Sequence, residues 1–240
     1  STFYLGATGN ASYGWYAGGY GPSNTSKVDR IDYSNDTATA SARGPLTSAK
    51  KYVAATGNRS FGYIGGGGPS PNISTIDRID YSSDTATASP KGNLNNQRYG
   101  MAGVSPFSMA NPAMPTPATR TESGTPSPVG TNYGYYGAGS GNGSNPRSWV
   151  DRIDFDNDTA TSSPKGNLAG EFEFGGGSSS IPYGYFVGGT STPRQSYINR
   201  IDYANDTATA SNVGNLTEAR TNAIGTHNSS YGYHAGGYNG

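Results

Sequence analysis

Val28-Asp29-Arg30-Ile31-Asp32-Tyr33-Ser34-Asn35-Asp36-Thr37-Ala38-Thr39-Ala40-Ser41 returns three times along the chain, as Ile76–Ser89, Val150–Ser163 and Ile198–Ser211. A fixed unit that recurs marks a repeat architecture, in which each copy buries its apolar face against the next. Within the unit, Arg-Ile-Asp-aromatic reads as a strand. The following Ser/Asn/Asp residues read as a turn, because their side chains bond their own backbone.

Working outward, the unit is preceded by Gly-aromatic-X-X-Gly-Gly at Gly14–Gly19, Gly62–Gly67 and Gly184–Gly189, and by the same motif with Ala138 for the first of the paired glycines at Gly134–Gly139, with a further copy at Gly232–Gly237. Before that comes a small-residue segment, seen in Ser1–Tyr13, Lys51–Phe61 and Thr221–Tyr231. In chain order the segments are strand A (small residues), strand B (Gly-aromatic), strand C (Arg-Ile-Asp) and strand D (Thr-Ala-Thr-Ala/Ser-Ser). The B segments start 48, 72, 50 and 48 residues apart. Four short, Thr-, Tyr- and Ile-rich segments per period, divided by Gly, Asn, Ser and Pro, form an all-β pattern of propeller-blade length. No apolar stripe of helical period persists.

The expected fold is therefore a β-propeller of four-stranded antiparallel blades. The expected blades are 1–49, 50–97, 98–169 and 170–217, with a partial fifth at 218–240. Four blades with flanking strands is the alternative. The third blade carries about 24 extra residues, a Pro-rich arm at 106–130 between strands A and B. The fifth blade reaches only A and B, and natural sheets avoid such an unpaired edge. This predicts strand completion from additional copies of the chain or another protein, or a sequence that continues beyond residue 240.

The 240 residues hold 16 basic and 16 acidic side chains and no Cys. Zero net charge lacks the footprint of a nucleic-acid binder. Without Cys, disulfides and thiolate metal sites are excluded. No apolar run approaches the roughly 20 residues that span a bilayer as a helix, so no membrane insertion is expected. The chain opens Ser1-Thr2-Phe3 rather than with Met and no signal peptide is read in it, so a processed start or a piece of something longer is expected. Leu, Ile, Val and Phe total only 29, while Tyr alone numbers 19. The interior is expected to be thin, filled by Tyr and Ala, and dependent on ladder hydrogen bonds.

Arg30 and Asp32 lie two apart on strand C and so share a face. Arg78 and Asp80, Arg152 and Asp154, and Arg200 and Asp202 repeat the pair. Recurrence in every blade favours a blade-to-blade ion-pair ladder over a binding ring. Asp36, Asp84, Asp158 and Asp206 read as turn caps. Calcium, which wants six to eight oxygens, merits thought only at Asp154, Asp156 and Asp158. The only histidines, His227 and His234, are too few for a zinc or copper site. Glu171 and Glu173 alternate on one segment, and solvent exposure is the plainer reading than a glycosidase pair. No catalytic trio can be picked out and no cofactor motif is present. The chain is expected to be no enzyme and to need no cofactor.

Recognition is usually built on variable loops over a repeated frame. The B–C loops vary strongly while the C–D turns hardly differ. Trp15, Tyr20, Trp149 and Tyr197 are candidates for contacting a surface glycan, and Phe107, Met109 and Met114 of the arm for docking a partner protein.

The double Gly ending strand B, followed by Val/Ile-X-Arg-Ile-Asp-Tyr and a linker to an Arg-bearing strand, resembles a divergent kelch repeat. The longer Asp-Arg-Ile-Asp-Tyr-Ser-Asn-Asp-Thr-Ala-Thr-Ala-Ser resembles tandem repeats in virion structural proteins of marine cyanobacterial phages. That resemblance implies a non-enzymatic virion component of capsid, tail or fibre, located in the particle, whose partners are other virion proteins or copies of itself. A secreted or cell-surface, lectin-like propeller is the alternative.

Overall fold

The computed structural model describes residues 1–68, 71–106, 132–141, 145–180, 182–227 and 231–239. Its first sheet is built in chain order from β1 (Gly6–Gly9), β2 (Tyr13–Ala17), β3 (Val28–Asp32) and β4 (Ser41–Arg43). The second contains β5 (Ala54–Gly57), β6 (Phe61–Gly65), β7 (Ile76–Asp80) and β8 (Ser89–Pro90), and the third β9 (Ala102–Val104), β10 (Tyr133–Gly137), β11 (Val150–Asp154) and β12 (Ser163–Pro164). The fourth contains β13 (Gly176–Ser179), β14 (Tyr183–Val187), β15 (Tyr197–Asp202) and β16 (Ser211–Asn215). A two-stranded sheet, β17 (Ile224–His227) and β18 (Gly232–Ala235), follows. All pairs are antiparallel, and each four-stranded sheet is a simple meander. The protein is thus an all-β, propeller-type array of four complete blades and a fifth of two strands.

The A strands line up side by side, β1 on β5, β5 on β9, β9 on β13 and β13 on β17. Only small residues permit this, since a Cβ on Gly103 would lie 2.0 Å from the Ala55 carbonyl oxygen. Among the described residues no strand pairing joins β17 back to β1. The apolar core lies between blades. One cluster joins Trp15, Val28 and Leu46 of the first blade to Val53, Ile64 and Ile79 of the second.

Strand B is Gly-aromatic because of what crosses it. Gly14, Gly62, Gly134 and Gly184 each lie beneath the aromatic that follows strand C of the same blade. A Cβ on Gly184 would approach the Tyr203 hydroxyl to 2.8 Å. Tyr81, Phe155 and Tyr203 pass over these glycines to stack on the preceding blade's strand B, on Trp15, Tyr63 and Tyr135 at centroid distances of 4.1, 4.8 and 5.1 Å.

Strand D differs from the sequence reading. Thr37–Ala40 and its equivalents belong to the turn and the irregular segment after it, and the strand begins only at the last residue of the expected one, at Ser41, Ser89, Ser163 and Ser211. Ala38 N–H bonds the Asn35 carbonyl at 3.2 Å, closing a turn that the β propensity of Thr does not overcome. The Pro-rich arm expected at 106–130 falls almost wholly outside the described residues, between β9 and β10.

Candidate functional site at the blade seams and the channel mouth

The repeated polar residues split into two roles. Asp32 Oδ1 accepts from Ser34 N–H at 2.9 Å and Ser34 Oγ at 2.7 Å, so it caps its own turn. Those bonds hold its carboxyl below the usual aspartate range. Asp80 repeats the arrangement with Ser82. Asp154 accepts from Asp156 N–H and Asp202 from Ala204 N–H. These four aspartates do not cross to a neighbour.

The crossing is made by the other aspartate. Asp84 Oδ2 receives Arg30 Nη1 at 2.9 Å and Trp15 Nε1–H at 2.9 Å from the preceding blade, with Arg43 at 3.2 Å. Asp158 receives Arg78 at 2.7 Å, Lys91 at 3.3 Å and the Tyr63 hydroxyl at 2.9 Å. Asp206 receives Arg152 at 2.8 Å, Lys165 at 3.3 Å and the Tyr135 hydroxyl at 3.0 Å. Burial and the adjacent carboxylate raise the Tyr63 and Tyr135 phenols well above the usual range, so both remain donors. Backbone bonds accompany each contact: Gly44, Gly92 and Gly166 N–H donate to the carbonyls of Asp84, Asp158 and Asp206 at 2.8, 2.8 and 2.9 Å. Each of the first three blades therefore gives an Arg to the next blade's turn and receives nothing equivalent in return.

A second charge pair lies inside the seams that lead into the second and third blades. Lys50 Nζ is 3.0 Å from Asp77 with both side chains fully buried. Burial pulls the Lys50 ammonium below its usual range, against the attraction of Asp77. Arg98 Nη2 is 2.7 Å from Asp151, and Arg98 also donates to the carbonyls of Ala138 and Trp149. In the fourth blade both partners change together, to buried Phe172 and Asn199. Asn199 Oδ1 keeps the local role by accepting from Ala169 N–H at 2.9 Å.

The A strands enclose a central cavity of about 980 Å³, lined along β1, β5, β9, β13 and β17. Its mouth is a chain of backbone hydrogen bonds linking one residue per blade. Tyr52 N–H donates to Tyr4, Gly100 to Tyr52, Phe174 to Gly100 and Asn222 to Phe174, at 2.6–2.9 Å. All five have left-handed backbones, with φ of 62° at Tyr4, 58° at Tyr52, 65° at Gly100, 56° at Phe174 and 58° at Asn222. Gly adopts this conformation freely, whereas an aromatic residue there carries local strain of order 1 kcal/mol. The rings gather at the mouth: Tyr4–Tyr52 at 4.3 Å, Tyr52–Phe174 at 5.2 Å and Tyr99–Phe174 at 5.8 Å. Lys51 Nζ lies 4.2 Å from the Tyr20 ring and 5.0 Å from the Tyr52 ring. Half-buried Glu173 lies beside Tyr52, and burial raises its carboxyl above the usual glutamate range.

The surface candidates separate accordingly. Trp15 is not a surface residue, being fully buried, stacked on Tyr81 and hydrogen-bonded to Asp84. Tyr20 is half-buried at the mouth. Trp149 lies beside Arg147 and Arg98, with ring-to-guanidinium distances of 5.1 and 5.8 Å. Tyr197 is 41% exposed on the rim of the fourth blade. Phe107, Met109 and Met114 lie outside the described residues. Asp158 already serves Arg78 and Lys91, and no set of three or more potential metal-binding side chains occurs among the described residues. The mouth residues Tyr4, Tyr52 and Phe174 were missed from sequence, although they occupy one position of the repeat. Comparison with protein-family models and with curated proteins returns no match.

Proposed function

We propose that the chain is a non-enzymatic structural component of a virus particle, a propeller scaffold whose work is assembly. The seam contact carries this reading. It is made three times within the chain and left half-made at both ends, with Arg200 lacking a carboxylate and exposed Asp36 lacking a cation among the described residues. An array with one donor end and one acceptor end is suited to taking up further elements of the same kind, in this chain's own continuation or in another polypeptide. The fully buried carboxylates Asp77 and Asp151 are held in structural pairs with Lys50 and Arg98. The virion setting draws on the resemblance of the 14-residue repeat to phage virion proteins. Mass-spectrometric inventory of purified particles tests it, and absence of the chain from the particle would reject it.

A second reading, carbohydrate binding, is favoured by the aromatic mouth. Tyr4, Tyr52 and Phe174 accept left-handed backbones that Gly100 adopts without strain, and strain retained at a cavity mouth is a mark of function. Sugar rings stack on such faces. A glycan array with no hit, or one whose hits survive Tyr52→Ala, would reject this reading.

A further inference from the structure

We infer that the channel mouth takes a sugar bearing a free amino group, with the sugar ring against Tyr52, Tyr99 and Phe174 and the ammonium on Glu173. This deepens the carbohydrate reading above and rests on it.

The repeat supplies the first argument. The residue before each left-handed position is Phe3, Lys51, Tyr99, Glu173 or Thr221. Each makes a backbone bridge to the residue that follows strand B's last glycine, Lys51 to Gly68, Tyr99 to Ser140 and Glu173 to Thr190 among them. The backbone place is therefore the same in every blade. Packing common to all blades cannot ask for a cation, an anion and an aromatic ring at one place, so the frame does not dictate Glu173.

The second argument is that Glu173 is left unmet. The buried carboxylates Asp77 and Asp151 each hold a cation, at 3.0 and 2.7 Å. Half-buried Glu173 forms no ion pair among the described residues, and only Ser140 and Tyr99 beside it oppose the rise that burial imposes on its carboxyl. Its Oε2 is buried without a hydrogen-bond partner, and so is the Oγ of Ser140, a residue with no exposed surface. A carboxylate drawn partly out of water costs free energy until a cation or a hydrogen-bond donor meets it. Lys51, the cation at the same repeat position, is instead held over the Tyr20 and Tyr52 rings.

The third argument is the wall around that carboxylate. The rings of Tyr52, Tyr99 and Phe174 form a triangle, with centroids 5.7, 5.2 and 5.8 Å apart, and all three are half-buried. Gly100 makes the triangle possible, because a Cβ there would lie 2.8 Å from the Phe174 ring. Aromatic faces attract cations as well as the apolar face of a sugar. An acid among such rings favours an ammonium over a hydroxyl, since the ammonium gains from the carboxylate and from the rings together. These residues belong to blades two, three and four, each with a described blade on both sides, so the cluster does not arise from where the chain starts or stops.

The test uses tetramers of β-1,4-linked glucosamine, N-acetylglucosamine and glucose, which share one backbone and differ only in the group on the second carbon. Each is titrated calorimetrically against the whole chain at about pH 6, where a sugar amine is protonated. The amino form should bind at least tenfold tighter than the other two. Glu173→Gln should bring all three within about twofold of one another. Glu171→Gln, at an exposed acid two residues away, should leave the preference intact. On the unaltered protein, a carbodiimide should couple the sugar amine to the Glu173 carboxyl as an amide, located by peptide mass spectrometry. That readout stands even where Glu173→Gln fails to fold. Equal binding of the three tetramers, a preference that survives Glu173→Gln, or coupling to other carboxylates with none at Glu173 would overturn the inference. So would no binding of the amino tetramer. The glycan array, which spans other sugars, decides the broader carbohydrate reading separately, so either can fail without the other.

Discussion

Asp77→Asn is the most informative single substitution at a seam. The carboxylate lies 3.0 Å from Lys50 Nζ with neither side chain exposed. It also accepts from Thr47 Oγ1 at 2.6 Å and Thr47 N–H at 3.3 Å. An asparagine retains an acceptor for Thr47, just as Asn199 accepts from Ala169 N–H, so the substitution removes mainly the charge. Lys50 is then left buried beside a neutral amide. Breaking a buried pair from one side costs about 3–5 kcal/mol, because the surviving charge has no compensation. For a domain of this size each kcal/mol moves Tm by about 2–4 °C, so a fall of about 6–20 °C is expected by calorimetry. The fourth blade indicates the repair. Lys50→Phe with Asp77→Asn recreates Phe172 and Asn199, and replacing a buried pair by apolar packing is often neutral. The double variant should lie within about 1 kcal/mol of the parent in urea unfolding. A single substitution costing under about 1 kcal/mol, or a double as unstable as the single, would refute the argument.

Asp158→Asn removes the acceptor of Arg78, Lys91 and Tyr63 and should cost about 2–3 kcal/mol, whereas Asp36→Asn at the same repeat position, exposed and without a cation, should stay within about 0.5 kcal/mol. Equal effects in urea melts would contradict the one-way seam. Gly92→Ala places a Cβ 1.7 Å from the Ala160 oxygen and should cost about 3 kcal/mol or more by thermal unfolding. Gly21→Ala, whose Cβ has 3.4 Å to its nearest neighbour, should change little, and comparable losses would count against the close approach. His227 and His234 dock the fifth blade on the fourth, His234 Nε2 bonding Ser178 Oγ at 2.9 Å and His227 Nδ1 accepting from Ser179 N–H. Burial lowers both imidazoles below their usual range. Above the unfolded pKa of about 6.5 both states are neutral and docking is insensitive to pH. As pH falls through that value the undocked hairpin takes protons that the docked one resists, so docking weakens until the lower docked pKa is passed. Hydrogen exchange of β17 and β18 amides should report this loosening between pH 7.5 and 5.5, and unchanged protection would refute it.

The period and the strand types were legible because Arg-Ile-Asp and Gly-aromatic-X-X-Gly-Gly are local words. The start of strand D was not, since Thr-Ala-Thr-Ala has strand composition while Asn35 closes a turn through it. Arg30 and Asp32 share a strand face, which suggested a blade-to-blade ladder made by that pair, with Asp36 and its equivalents as turn caps; Asp32 instead caps its own turn. The actual partner of Arg30 is Asp84, 54 residues away, and only packing reveals that direction. Trp15 looked like a loop-side aromatic because strand B is Gly-rich. Those glycines instead make room for Tyr81 to cover it. The exchange of Asp29-type residues for Asn199 carried a readable signal. The Lys50 and Arg98 position becomes Phe172 in the same blade, so charge is lost from both sides of one seam.

Direction is the property that links this packing to assembly. If the seam were symmetric, each blade face could pair with itself and a short array could end with nothing unsatisfied. Here the donors Arg30, Arg78 and Arg152 all point toward higher residue numbers, and the acceptors Asp84, Asp158 and Asp206 all face back. Any arc of such blades ends with a cationic wall at one side and an anionic turn at the other, whatever its length. Arg200 and Asp36 are those ends. The same arithmetic places Tyr33 at 50% exposure and Tyr16 at 38%, although at the first position Tyr203 is buried and Tyr81 partly buried, and at the second Tyr136 and Phe186 are buried. Unfilled contacts therefore follow from the polarity of the unit. Filling them requires another element of the same polarity, whether the chain's own continuation or another polypeptide supplies it.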